Sequence, residues 1–181
     1  MQLLSRKGFL SGLGFSAMGL WLWACGNKVK EKYLYFSDSE LEIMQVWSDS
    51  VLPVQEKGMP SADEAEVVRR LDEEFYFVSE EIQEEFHLAI TALQYAPFFY
   101  GYFSRFSKMH RDDRIRFLKQ TESTDSDTMR AVVGNLKLVT FLAYYGHKST
   151  WQEIGFDGPF ANPSEKWSES RIYYKKTISG S

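Results

Sequence analysis

The stretch Asp125-Ser126-Asp127-Thr128-Met129-Arg130-Ala131-Val132-Val133-Gly134-Asn135-Leu136-Lys137-Leu138-Val139-Thr140-Phe141-Leu142-Ala143-Tyr144-Tyr145-Gly146 decides the fold. An Asp-Ser-Asp cap opens it, apolar residues from Met129 to Leu142 carry it to Tyr145, and Gly146 stops it. Its apolar residues fall on nearly every side of the helical turn, which predicts the central helix of a bundle.

Shorter helical patterns surround this stretch. Arg111 to Gln120 carries Ile115 and Leu118 above a charged outer face. Ser79 opens a helix through Ile82, Phe86, Ile90 and Leu93, with Glu80 and Glu81 at its positive end, and Pro97 interrupts it. The run Phe98-Phe99-Tyr100-Gly101-Tyr102-Phe103 after that proline reads as core or as a partner face. Ser61 and Glu64 have the spacing of a capping box, ahead of Val67, Val68, Leu71 and Phe75. A Gly58-Met59-Pro60 turn precedes the box. Asp38 or Ser39 caps a first helix through Leu41, Met44, Trp47 and Val51, which ends at Pro53. There is no alternating strand pattern and no internal repeat. The fold class is therefore all-α, a single compact helical domain after an N-terminal signal peptide and a short linker.

The N-terminus explains the first boundary. Arg6-Lys7 is followed by an uncharged, mildly apolar run to Ala24, the layout of a cleaved export signal. The run is short for a membrane span, which needs roughly 20 apolar residues. Leu22-Trp23-Ala24-Cys25 resembles a bacterial lipobox, with Cys25 as the thiol that takes the lipid; the plainer alternative is an incidental cysteine. Ser5-Arg6-Lys7-Gly8-Phe9-Leu10 resembles the twin-arginine export signal in Arg6, Phe9 and Leu10, with Lys7 in place of the second arginine. The general secretion route is the alternative. The chain thus divides into a signal at 1–24, a lipidated tether at 25–37, a helical domain at 38–160 and a polar tail at 161–181. The apolar end of the tether, Tyr33-Leu34-Tyr35-Phe36, is placed to dock on the domain. The expected location is the periplasmic side, anchored in a membrane.

The net charge of −4 becomes two charges more negative once Arg6 and Lys7 leave with the signal. Without a basic stripe, nucleic-acid binding is not expected. Aromatic residues make up 16% of the chain, many for one domain to bury, and exposed aromatics commonly anchor interfaces. With Cys25 as the only cysteine, the chain has no internal disulfide, CxxC pair or CxxCH haem site.

Catalytic motifs are missing. The sequence contains no GxGxxG, Walker loop, HExxH or GxSxG elbow. His87, His110 and His147 are widely separated and read as structural. Glu73, Glu74, Glu80, Glu81, Glu84 and Glu85 read as solvated helix faces rather than a general acid–base pair. No catalytic, cofactor or metal residue is expected in this chain.

The closing segment carries a family likeness. Tyr144-Tyr145-Gly146, Trp151 and Ile154-Gly155-Phe156-Asp157-Gly158-Pro159 resemble the end of the gluconate 2-dehydrogenase subunit 3 family, with Phe156 where the family often has tyrosine. Leu52-Pro53 and Gly58-Met59-Pro60 resemble its opening, and the likeness spans about residues 39–160. The resemblance implies a non-catalytic small subunit of a membrane-associated sugar or sugar-acid dehydrogenase. Such a subunit binds, stabilises and escorts for export a flavoprotein of the glucose-methanol-choline type. The resemblance places FAD in that partner and makes a c-type cytochrome the electron acceptor. Tyr144, Tyr145, Trp151, Gly155, Phe156, Asp157, Gly158 and Pro159 are the expected interface, with Trp151 serving either the partner or the domain's own core. A stand-alone lipid-anchored all-α protein binding a small ligand in an apolar cavity is the alternative.

Overall fold

The computed structural model describes residues 32–54, 56–159 and 167–180. The described residues from Tyr33 onward form one packed unit. Among the described residues there are seven α-helices and no strand: α1 (Asp38–Val51), α2 (Val67–Tyr76), α3 (Glu80–Tyr95), α4 (Arg111–Glu122), α5 (Asp127–Tyr145), α6 (Lys148–Trp151) and α7 (Glu169–Ser179). The all-α expectation holds. No described helix is long and apolar enough to cross a membrane.

Most helices begin where their side chains satisfy free amides. Ser37, one residue before the expected cap, closes a full capping box with Glu40 at the start of α1. Ser126 caps α5 by accepting from the Met129 amide. The Ser61–Glu64 box also forms, with the Ser61 amide 2.7 Å from the Glu64 carboxylate. It starts only a turn, because Glu66 takes a left-handed conformation (φ 49) and α2 begins at Val67. Packing accounts for the break. On one continuous helix Val67 would point about 160° away from Ala65, yet both are buried. Resetting the chain at Glu66 lets both reach the core.

The core is built from Met44 and Trp47 of α1, Val67 and Leu71 of α2, Ile90 and Leu93 of α3, Phe117 of α4, Leu136 and Tyr144 of α5, and Phe106 between α3 and α4. The Trp47 indole N–H donates to Thr140 Oγ1 at 2.9 Å, so the largest core residue buries no unmet donor. Gln94 and Ser107 bond reciprocally, Ser107 N to Gln94 Oε1 at 2.9 Å and Gln94 Nε2 to Ser107 Oγ at 3.0 Å. This pair pins the loop that follows the aromatic run.

Two elements differ from their sequence pattern. Helix α5 buries one line only, Val133, Leu136, Thr140 and Tyr144, while Leu138, Leu142 and Tyr145 on the opposite side are exposed. It packs on α2, α3 and α4. Among the described residues no further long helix covers its outer side, so there it forms a wall of the bundle rather than an enclosed core helix. On α3, Ile82 is exposed. The inward place is taken by Gln83, whose Nε2 donates to the Phe75 and Tyr76 carbonyls at 2.9 and 3.2 Å and so closes the end of α2.

The domain extends past both expected edges. Phe36 is buried, and the amides of Leu34, Tyr35 and Phe36 donate to the Asp72 carboxylate at 2.8, 3.0 and 2.8 Å. Residues read as the end of the tether are therefore part of the fold. The segment read as a polar tail carries α7, and its Tyr174 is buried with the hydroxyl donating to Asp72 Oδ2 at 2.6 Å. Burial and the adjoining Asp72 charge push the Tyr174 hydroxyl up, so it remains a donor. Four donors fill the acceptor capacity of one buried carboxylate.

Candidate partner-binding face

The segment after α5 is held by several hydrogen bonds and is partly exposed. Tyr144 is fully buried, and its hydroxyl donates to the Pro60 carbonyl at 2.7 Å. Burial pushes that hydroxyl up, which keeps it protonated as a donor. The Glu153 carboxylate lies over Gly58, in the space a Cβ would take. The structure thus brings the Gly58-Met59-Pro60 turn and the 144–159 segment together, two stretches far apart in sequence.

Short-range bonds then shape the segment. His147 caps α6 by accepting from the Ser149 amide, and Thr150 Oγ1 donates to the His147 carbonyl at 2.8 Å. The Trp151 indole N–H donates to the Tyr145 carbonyl at 3.1 Å, and the Phe156 amide to the Trp151 carbonyl at 2.8 Å. The Trp151 and Phe156 rings meet edge to face at 5.2 Å. Gly158 has φ 116, and a Cβ there would lie 3.7 Å from the Trp151 ring. A side chain would be strained at that φ, so glycine suits the turn.

The expected interface residues thus fall into two groups. Tyr144 holds the segment from inside, and Trp151 and Gly158, both half-buried, brace it. Tyr145, Gly155, Phe156, Asp157 and Pro159 are exposed. Neighbouring residues that the sequence reading left out extend this surface. Leu138 and Leu142, at 57% and 66% exposure, line up with Tyr145 along the outer side of α5. Their i, i+4, i+7 spacing makes one stripe. Trp151 is bonded to the end of that stripe, so the stripe and the closing segment form one face. The sequence signal was present, because α5 has more apolar residues than one buried face needs.

The aromatic run after Pro97 also divides. Tyr100 and Tyr102 pack edge-on against Phe117 at 5.3 and 6.1 Å, while Phe99 and Phe103 are 88% and 99% exposed. This run supplies both core and open surface.

The histidines serve separate local structures. His87 pairs with Glu40 at 2.5 Å and stacks on Tyr35 at 4.4 Å. His147 caps α6, and His110 precedes α4. Among the described residues no three His, Cys, Asp or Glu side chains are grouped to hold a metal ion. A surface cleft of about 260 Å³ lies between α2 and the start of α7, lined by Arg70, Glu73, Glu74, Phe77, Trp167 and Arg171 among others. Its walls are largely charged, with Arg70 and Arg171 both paired to Glu73 at 3.4 Å. Arg6, Lys7, Phe9, Leu10 and Cys25 lie outside the described residues.

No known protein family, curated protein or solved structure matches this chain.

Proposed function

We propose that this chain is a non-catalytic, lipid-anchored accessory subunit that binds a larger partner through the outer side of α5 and the segment 145–159. The observation that carries the reading is the row of exposed Leu138, Leu142 and Tyr145 on α5, linked through Trp151 to the exposed Phe156. Apolar side chains aligned on one rigid surface, rather than scattered singly, mark a binding site. Interfaces favour large, rigid anchors of this kind.

The partner's identity as an FAD-containing dehydrogenase of the glucose-methanol-choline type is supported by the resemblance of the closing motif. The twin-arginine-like leader supports the same reading, because that route carries folded cargo. FAD would then reside in the partner, and a c-type cytochrome would receive its electrons. Sugars or sugar acids would be the partner's substrates.

The test is recovery of the C-terminally tagged protein from its native cells in mild detergent. Flavin absorbance and mass spectrometry identify what comes with it. A stoichiometric FAD-containing large subunit is the expected result. Recovery of this chain alone as a stable monomer would overturn the proposal.

A further inference from the structure

We infer that the face formed by α7 and the exit of residues 33–36 lies against a phospholipid surface. Trp167, Ile172 and Tyr173 would sit among the headgroups, with Lys175 and Lys176 against the lipid phosphates. This inference rests on the reading of Cys25 as the lipidated residue.

The first argument is reach. The Asp72 carboxylate holds the amides of residues 34, 35 and 36, and the Arg69 guanidinium covers the Tyr33 ring at 4.1 Å. The chain is therefore fixed to the domain from Tyr33 onward. From Cys25 that is about eight steps of at most 3.6 Å, about 29 Å in all. A domain of roughly 150 residues has a radius of gyration of about 15 Å and is nearly 40 Å across. The tether is shorter than the domain is wide, so the exit face is held near the bilayer.

The second argument is placement. Helix α7 is fastened at that exit, because the Tyr174 hydroxyl and the Leu34 amide share Asp72 Oδ2. Helix α7 thus lies beside the point where the chain leaves the domain toward Cys25.

The third argument is chemistry. Trp167, Ile172 and Tyr173 are 48%, 54% and 53% exposed. Lys175 stands over the Trp167 ring at 3.6 Å and Arg171 at 5.4 Å. Tryptophan and tyrosine beside lysine are the side chains that partition to the headgroup region, with apolar bodies and polar tips. Among the described residues the carboxylates nearby are Asp72, which accepts from Tyr174 beneath the helix, Glu169 at the helix start, and Glu73 and Glu74 across the cleft, with Glu73 paired to Arg171 and Glu74 to Arg70. In an acidic chain, α7 carries Arg171, Lys175 and Lys176 against Glu169. An anionic bilayer attracts such a strip.

The experiment uses the processed protein from its host membranes, reconstituted into phosphatidylethanolamine–phosphatidylglycerol vesicles with and without brominated acyl chains. Trp167 emission is taken as the difference between the chain and its Trp167→Phe variant. The N-terminal mass is recorded on the same sample. The expected result is that bromine quenches the Trp167 emission by about half or more, as for an aromatic at the headgroup–acyl boundary. Lys175→Ala with Lys176→Ala should restore most of that emission while the protein stays in the vesicles. Quenching without a lipid on the N-terminus would support the docking face and overturn the anchor. A lipid on the N-terminus with no quenching of Trp167 would overturn the docking face and leave the anchor standing. Shielding of Trp167 only when a large subunit is co-purified would also overturn it, in favour of a protein contact.

Discussion

Around Asp72, three backbone amides and the Tyr174 hydroxyl converge on one buried carboxylate. Along the outer side of α5, Leu138, Leu142 and Tyr145 stand in solvent although the same helix buries Leu136 and Tyr144 completely. The first region is finished by the chain's own groups. Its donors and acceptor balance, and it ties the two ends of the domain, residues 34–36 and α7, to α2. The second region has a rigid scaffold, set by the Tyr144–Pro60 and Trp151–Tyr145 bonds, and an apolar face that the described residues leave uncovered. Both regions are built on helices of the same core, so a difference in fold quality does not explain the contrast. A saturated polar cluster serves stability within one chain, and in the proposed function the uncovered apolar stripe serves association.

The contrast predicts where substitutions should register. Asp72→Ala should have the largest effect on folding, about 3–5 kcal/mol, because it leaves three amides and a hydroxyl without their charged acceptor. Denaturant unfolding measures the loss. Limited proteolysis should show residues 33–36 and α7 becoming accessible together, and continued protection of α7 would argue against a shared clamp.

Leu138→Asp with Leu142→Asp should behave oppositely. Folding stability should stay within about 0.5 kcal/mol, as for exposed sites, while capture of the large partner should weaken by about 2–4 kcal/mol, as at interface hot spots. Undiminished capture would move the interface away from α5.

Tyr144→Phe lies between these two. Losing the bond to the Pro60 carbonyl should cost about 1 kcal/mol. Hydrogen exchange should rise in residues 147–158 and leave the Asp72 region unchanged.

The smallest effect concerns pH. Burial works to raise the Glu40 carboxyl, but hydrogen bonds from the Ser37 hydroxyl and amide, together with His87, outweigh it and hold the group below the usual range. A depressed carboxyl stabilises the fold above its unfolded value and loses that contribution as pH falls through the folded one. Glu40→Gln should therefore flatten the acid limb of stability below about pH 4.5. Asp49, pushed up by burial and by Asp63, has the opposite sign. Its contribution is present in acid and lost as pH rises through its folded value. Stability measured from pH 3 to 7, roughly the carboxylate range, would separate the two.

Much of this contrast could be read from the residues alone, and the parts that could not share a cause. Helix periods, the helix start at Ser79, the cap at Ser126, the stop at Pro53 and the all-α class depend on neighbours within a turn or two, so local spacing shows them. The surplus of apolar residues on α5 was visible, but their number does not say which side is covered. That depends on helices α2, α3 and α4 arriving from elsewhere in the chain. Asp72 left a local trace as well, a carboxylate four residues after Val68 and three before Phe75, within an apolar stripe. Its meaning required Leu34 and Tyr174, far away on either side in sequence, and no local period encodes such a meeting. The same holds for Tyr144 and Pro60, joined over 84 positions. Short-range order follows from backbone geometry and side-chain spacing. Which polar groups are satisfied and which apolar faces stay open follows from the closing of long loops, and that is settled when the helices pack.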